Sequence, residues 1–318
     1  MRKIGLYFSV WKPEELERIC AAAAGFELVD LSGKCSERDI AACEILFGFI
    51  NSDTIKAAKN LKWLHSQSAG VDYYLKPETG LPQSVILTNS TGAYGIGISE
   101  HLITVTLMLL RKMNEYCLLQ AQNKWHGLGT VKTLYQSDIT VVGLGDIGGC
   151  YAMRCSALGA RVKGVVRSRR DRKPDYVDEL FTADRLDEAL CDADIIALCL
   201  PETNETRQLL TRERMRTLKK GALILNIGRG SAIDQDALTE LLESGHIGGA
   251  GLDVTEPEPL PPDSRLWNMP NVVITPHISG GTSLEITLKL IADKFIKYLG
   301  DYIAGHKFTH VVDRALEY

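Results

Sequence analysis

The run Ile139 to Gly148, ITVVGLGDIG, constrains the fold more than any other stretch of this chain. Ile139, Thr140, Val141 and Val142 are apolar or β-branched and predict a short buried strand. Gly143, Gly145 and Gly148 follow at the spacing G-x-G-x-x-G, with Asp146 and Ile147 between them, and a helix is expected from about Gly149 to Leu158. Glycines at this spacing can also form a plain structural turn. The strand before them and the helix after them favour a bound dinucleotide. Gly143 permits the tight turn, Gly145 keeps side-chain atoms away from a pyrophosphate, and Gly148 lets the helix pack closely on the strand. The amides and positive dipole end of the helix then face the phosphates.

The rest of the chain alternates short strands and helices, which implies an α/β protein with parallel sheets and crossover helices. In residues 1–97, strands are expected at Lys3 to Val10, Glu27 to Leu31, Ile45 to Ile50, Leu61 to Gln67 and Val85 to Thr88. A helix is expected from Pro13 to Ala24, and another capped by Ser52 or Asp53. Ile98 to Cys117 has apolar residues at helical spacing and is expected to be the longest helix, linking two domains. Leu118 to Gln136, with Trp125 and His126, is less periodic: an arm on a second subunit or a wrapped surface loop. A second α/β unit follows, with six strands at Ile139 to Val142, Val162 to Val166, Ile195 to Cys199, Leu223 to Ile227, Gly249 to Leu252 and Val272 to Thr275. Helices are expected between them at Arg185 to Leu190 and Gln235 to Ser244. Such a unit suits a Rossmann-type doubly wound sheet. A helix from Thr282 to Leu299 is expected to return to the first domain. Two domains agree with a length of 318 residues.

Composition narrows the partners. Hydrophobic residues make up 45% and the net charge is -4, so there is core material for globular domains and no electrostatic case for nucleic acid or an anionic membrane. The eight cysteines form no C-x-x-C pair and are expected to be reduced, mostly buried thiols rather than disulfides or a metal site. MRKIGLYFSVW enters a strand pattern without signal-peptide architecture, and the apolar stretch Leu102 to Leu110 is too short to span a bilayer. A cytoplasmic location is the resulting expectation.

The end of the second strand of the dinucleotide unit bears on the cofactor. A ribose-binding carboxylate is expected about 20 residues past the glycine turn. Here Val166 is followed by Arg167, Ser168, Arg169 and Arg170, with no carboxylate before Asp171. Arginines pair with a 2′-phosphate, whereas a carboxylate repels it. NADP(H) is therefore preferred and NAD(H) remains possible, a solvated basic turn being the plain structural alternative.

Three polar residues mark the chemistry: Arg229 in NIGRG, Glu258 in GLDVTEPEPLP and His277 in ITPHISGG, each beyond a predicted strand. Ligands bind at the carboxyl ends of strands in open α/β sheets, so all three point to the rim that carries the glycine turn. Each alone is more often a surface ion pair, a solvated loop carboxylate or a turn residue. Together they suit hydride transfer to a 2-keto acid. Arginine can hold the substrate carboxylate and polarise its carbonyl, and histidine can supply the proton. A neighbouring carboxylate favours the protonated imidazole. SAGVD, Ser68 to Asp72, closes the fourth strand of the first unit with exposed amides able to hold a small anion, although a plain turn is favoured on spacing alone.

The chain also resembles the D-isomer-specific 2-hydroxyacid dehydrogenase family. The matching segments are SAGVD, GAYGIGISEH, VVGLGDIG, LPETNETRQLL, LKKGALILNIGRGSAIDQDAL, GAGLDVTEPEPLP and NVVITPHISG, in the family's order through nearly the whole chain. The resemblance implies catalytic roles for Arg229, Glu258 and His277 and a substrate-carboxylate loop at Ala69, Gly70 and Val71. Cofactor contacts are implied at Gly143, Gly145, Asp146, Ile147, Gly148, Leu200, Pro201, Thr206, Ile227 and Gly280. Asp253 matches the residue near the nicotinamide carboxamide, and His101 a position in the interdomain helix. It implies a discontinuous, smaller flavodoxin-like α/β substrate domain, 1–97 with 282–318, beside a dinucleotide-binding domain, 98–281, and a homodimer built through the cofactor domain and the segment around residues 100–135. The basic run after the second strand resembles the family's NADP-using glyoxylate and hydroxypyruvate reductases, so the expected substrate is a small 2-keto acid reduced to the D-2-hydroxy acid. The alternatives are D-lactate or a branched 2-hydroxy acid, or a non-catalytic NAD(P)-sensing corepressor-like protein, disfavoured because the Arg/Glu/His set is complete. HISGG departs from the family's usual His-Ile-Gly followed by small residues. That puts the nicotinamide contacts nearby in question.

Overall fold

A computed structural model describes residues 1–33, 35–169 and 171–317, in two compact units. One comprises Met1–Tyr94 with Gly281–Tyr318, the other Gly95–Gly280.

The first unit is a five-stranded parallel sheet of β1 (Arg2–Leu6), β2 (Phe26–Asp30), β3 (Cys43–Phe47), β4 (Trp63–His65) and β5 (Ile86–Thr88), in the order β2-β1-β3-β4-β5. This is the flavodoxin-like order. Strands β3 and β4 are buried at every position, as expected of a parallel sheet covered on both faces. Leu46, Leu64, Tyr74 and Leu87 fill one core. Phe47 stacks on Phe295 at a centroid distance of 3.8 Å, and Trp63 stacks on the same ring. Those contacts hold the helix Glu285–Ala304 to this unit. The first strand is shorter than expected because Phe8–Val10 turns into a 3-10 helix. A short helix at Glu37–Ala41, capped by Ser36, was not expected. The helix Ser52–Ala57 is capped by Asn51, whose side chain accepts from the Thr54 amide, rather than by Ser52 or Asp53.

The second unit has seven parallel strands: β6 (Asp138–Val142), β7 (Arg161–Val166), β8 (Glu179–Thr182), β9 (Ile195–Leu198), β10 (Ala222–Asn226), β11 (Ile247–Leu252) and β12 (Val272–Ile274). Their order is β12-β11-β10-β9-β6-β7-β8. The chain leaves β6 in one direction and returns at β9 on its other side, so the switch point of this doubly wound sheet lies at the end of β6. The six expected strands are present. The seventh, β8, is a four-residue edge strand beginning at an exposed glutamate, too short and mixed for a periodic signal.

The expected helix Ile98 to Cys117 is two helices, Gly95–Leu110 and Met113–Ala121. The break falls at Lys112, whose φ of 54 is left-handed, and the Lys132 amide donates to the Leu110 carbonyl at the end left behind. The longest helix is instead Glu285–Ala304, stopped by Gly305 with φ 71. All eight cysteines are free. The expectation that most are buried fails: only Cys43 and Cys155 are buried, Cys35, Cys150 and Cys199 are partly so, and Cys20, Cys117 and Cys191 are exposed. No helix among the described residues is long and apolar enough to cross a membrane.

Candidate active site

The glycine turn leaves β6 as its spacing requires. Gly143 has φ 96, and a Cβ there would stand 2.5 Å from the Cys199 carbonyl oxygen. A Cβ on Gly148 would stand 1.9 Å from the Gly143 oxygen, which only a glycine avoids. A Cβ on Gly145 would meet nothing within 4 Å, so the backbone there faces open space. The helix begins at Asp146, earlier than expected, because the third glycine lies within its first turn. No side chain caps this end, and the Asp146 carboxylate is turned to the Gly95 amide at 2.8 Å. An open backbone cradle at an uncapped helix start fits a pyrophosphate.

Arg229 follows β10 and Gly228, and its guanidinium donates to the Gly228 carbonyl at 2.7 Å. The turn is held from below by Asn226, which is 1% exposed. Its side-chain amide donates to the Arg229 carbonyl at 2.9 Å and accepts from the Gly228 amide at 3.1 Å. Ile227 is buried, its amide donating to the Leu198 carbonyl. Gly230 lies so close to the Thr255 carbonyl that a Cβ would come within 2.0 Å of it. The Arg229 turn therefore abuts the turn carrying Glu258.

Glu258 and His277 meet directly. The imidazole Nδ1 lies 3.0 Å from Glu258 Oε2, and the Glu258 Oε1 accepts from the Thr255 amide at 3.2 Å. Both side chains are close to half-exposed. With Nδ1 facing the carboxylate, Nε2 is the nitrogen left for a ligand. His277 has φ 53, a strained value for a non-glycine residue. Its amide donates to the Asp253 carbonyl at 2.8 Å. The Asp253 carboxylate accepts from the Thr275 hydroxyl at 2.6 Å and from the Ile278 and Ser279 amides at 3.0 Å each. Burial pushes this carboxyl up, but the hydroxyls of Ser279 and Thr275 and the two amides outweigh it and hold it below the ordinary range. Both oxygens expected near a carboxamide are thus engaged with the histidine loop, which ends in Ser279 and Gly280. The Thr275 hydroxyl gives its proton to Asp253, so His101 Nε2, 3.3 Å away, is the donor in its contact with Thr275.

In the other unit, the loop Ala69–Gly70–Val71 is pinned from behind. The Asn89 side chain donates to the Ala69 carbonyl at 2.8 Å, Tyr94 to the Gln67 carbonyl at 2.6 Å, and the Ser68 amide to Ser66 Oγ at 3.1 Å. The Ala69, Gly70 and Val71 amides carry no hydrogen bond among the described residues. Below the loop His65 is fully buried between Thr88 and Ser90, and burial lowers its pKa to about 3. Tyr74 is buried too, its hydroxyl accepting from the Ile50 amide, and the Tyr73 hydroxyl accepts from the Ser52 amide. These two hydroxyls fasten the segment after β3. Trp267 is half-exposed and donates to the Pro261 carbonyl.

At the far end of the cradle, Arg167, Ser168 and Arg169 are exposed just beyond β7, and Arg170 lies outside the described residues. Leu200 packs beside Gly143. Pro201 and Thr206 form one turn, the Thr206 hydroxyl donating to the Pro201 carbonyl at 2.7 Å. That turn carries Glu205, which pairs with Arg167 at 3.1 Å and which the sequence did not mark. Asn89 and Thr275 also escaped it, since their contacts join segments distant in the chain, and Asn226 escaped it although its partners, Gly228 and Arg229, are close in sequence.

Residues 103–279 match the model of the family described as D-isomer specific 2-hydroxyacid dehydrogenase, NAD binding domain. The chain is 32% identical over 251 residues to a glyoxylate reductase of Thermofilum pendens, an alignment covering 77% of this chain and 73% of that protein. It is 32% identical over 243 residues to glyoxylate/hydroxypyruvate reductase B of Pectobacterium carotovorum, covering 74% of each. Its fold superposes with a TM-score of 0.86 and 29% identity on the NADPH-dependent glyoxylate/hydroxypyruvate reductase of Sinorhizobium meliloti, solved with NADP and sulfate, over 100% of both chains. The family model spans the glycine cradle, the Arg229 turn and the Glu258–His277 pair, and the chain belongs to the D-isomer-specific 2-hydroxyacid dehydrogenases, NAD(P)-dependent enzymes.

Proposed function

We propose that this enzyme reduces a small 2-keto acid of the glyoxylate or hydroxypyruvate type to the D-2-hydroxy acid, with NADPH as the preferred cofactor. The observation that carries the reading is the 3.0 Å contact between His277 Nδ1 and Glu258. It fixes the imidazole with Nε2 outward, as a proton donor to a developing alkoxide requires. Arg229 pairs with the substrate carboxylate and polarises its carbonyl. The amides of Gly70 and Val71 suit a small anion such as a carboxylate. Gly143, Gly145, Asp146, Ile147 and Gly148 hold the pyrophosphate, Leu200, Pro201 and Thr206 wall the adenosine, and Ile227, Asp253 and Gly280 lie toward the nicotinamide. When bound, the reduced nicotinamide supplies the hydride to C2. Arg167, Ser168 and Arg169 support the preference for a 2′-phosphate, as does the NADPH-dependent relative of the same fold.

The enzyme works in the cytoplasm as a homodimer in this reading. Met113, Leu118, Trp125, Val131 and Tyr135 expose apolar surface along one stretch of chain, and a second copy covers it. A panel of glyoxylate, hydroxypyruvate, pyruvate and longer 2-keto acids, each with NADPH and NADH, tests the proposal. Higher kcat/KM for the first two acids with NADPH is expected, and failure to oxidise NADPH with any acid overturns it.

A further inference from the structure

We propose that Glu205 sets the balance between NADPH and NADH by occupying Arg167 and standing in for the ribose carboxylate missing from the end of β7. This rests on the reading that the cradle at Gly143 to Gly148 binds a nicotinamide dinucleotide. Strands β7 and β9 flank β6 in the sheet, so the segments that follow them face each other across the glycine turn. Arg167 is the first residue after β7, and Glu205 lies in the turn after β9. Their side chains meet at 3.1 Å, both solvent-accessible.

The turn that presents Glu205 is built for placement. The Thr203 amide donates to Thr206 Oγ1 at 2.9 Å, and the Thr206 amide donates to the Thr203 carbonyl at 3.1 Å. The next arginine, Arg207, is held by Glu202 at 2.5 Å, and Glu202 also accepts from the Ser231 hydroxyl. Glu205 is therefore directed to Arg167 by a turn whose other charges are already paired.

The consequence is electrostatic. A 2′-phosphate carries up to two negative charges and competes with Glu205 for the same guanidinium, so the carboxylate opposes NADPH. The free 2′-hydroxyl of NADH is a donor, and Glu205 can accept from it as a strand-end aspartate would. One carboxylate thus penalises one cofactor and serves the other.

The test is the dissociation constant of each cofactor, read from nicotinamide fluorescence on the intact wild type and on Glu205→Gln, Glu205→Ala and Arg167→Ser. An exposed ion pair shifts equilibria by about fivefold at most. Removing the Glu205 charge is expected to move the ratio of the two constants toward NADPH by about threefold to fivefold, and Arg167→Ser is expected to move it toward NADH. A ratio unchanged within experimental error in both Glu205 variants, or a shift toward NADH, overturns the proposal while leaving the dinucleotide reading intact. A wild type that binds neither cofactor overturns both.

Discussion

Replacing Asn226 with alanine should disable substrate binding through a residue that touches no substrate. Asn226 is buried beneath the Arg229 turn and makes two hydrogen bonds to it, at 2.9 and 3.1 Å. The Arg229 carbonyl keeps a second donor, the Ala232 amide at 3.2 Å, so its loss is partial. The Gly228 amide is buried and loses the acceptor it has, at a cost of about 1–3 kcal/mol. The turn relieves that cost by shifting, and Arg229 shifts with it. If the whole penalty falls on the keto-acid carboxylate, kcat/KM for the acid drops roughly 5- to 150-fold. Cofactor affinity should change far less, because the glycine cradle follows β6. Steady-state kinetics against the acid, with NADPH titrated separately by fluorescence, separates the two. A thermal melt confirms that the variant is folded. An unchanged kcat/KM, or an equal loss in NADPH affinity, would refute the reasoning.

Other consequences are simpler to state. His277→Ala should lower kcat by about 100-fold or more while the NADPH dissociation constant stays near that of the wild type; near-normal turnover would remove His277 from proton transfer. Trp125→Glu should place a charge on the exposed apolar stretch and shift a homodimer toward monomer in analytical ultracentrifugation, and a variant that sediments as the wild type does would move the interface elsewhere. Burial holds His65 neutral, with its pKa lowered from 6.5 to about 3, whereas the unfolded chain protonates it near 6.5. The unfolded state therefore binds more protons across that window, and stability should fall as pH drops from 6.5 toward 3, by up to roughly 1.4 kcal/mol per unit. Urea midpoints at several pH values should show a shallower acid loss in His65→Gln, and identical slopes in both proteins would contradict the assignment.

What the sequence reveals depends on whether a residue acts locally. The glycine turn declares itself because the left-handed φ of Gly143 and the close approach of Gly148 to the Gly143 carbonyl arise within one strand–turn–helix unit. The apolar runs of β9 and β10 are legible because parallel strands covered on both faces need little but apolar residues. The Glu258–His277 pair is suggested only by its position beyond strands, since 19 residues separate its members and the 3.0 Å contact is tertiary. Glu205 is invisible for the same reason: it stands 38 positions from Arg167, and only the order of β7, β6 and β9 brings them together. The break at Lys112 misleads periodicity because apolar spacing continues across it while a tertiary hydrogen bond from Lys132 ends the first helix. Asp253 shows the reverse case. Resemblance draws attention to it for a cofactor contact, and the structure shows its carboxylate holding the strained backbone of the histidine loop.

The most direct test of the central claim is the product formed when the enzyme is mixed with NADPH and hydroxypyruvate. The account predicts one glycerate for each NADPH consumed, as the D enantiomer on chiral chromatography. Formation of the L enantiomer, a racemate, or no glycerate would contradict it.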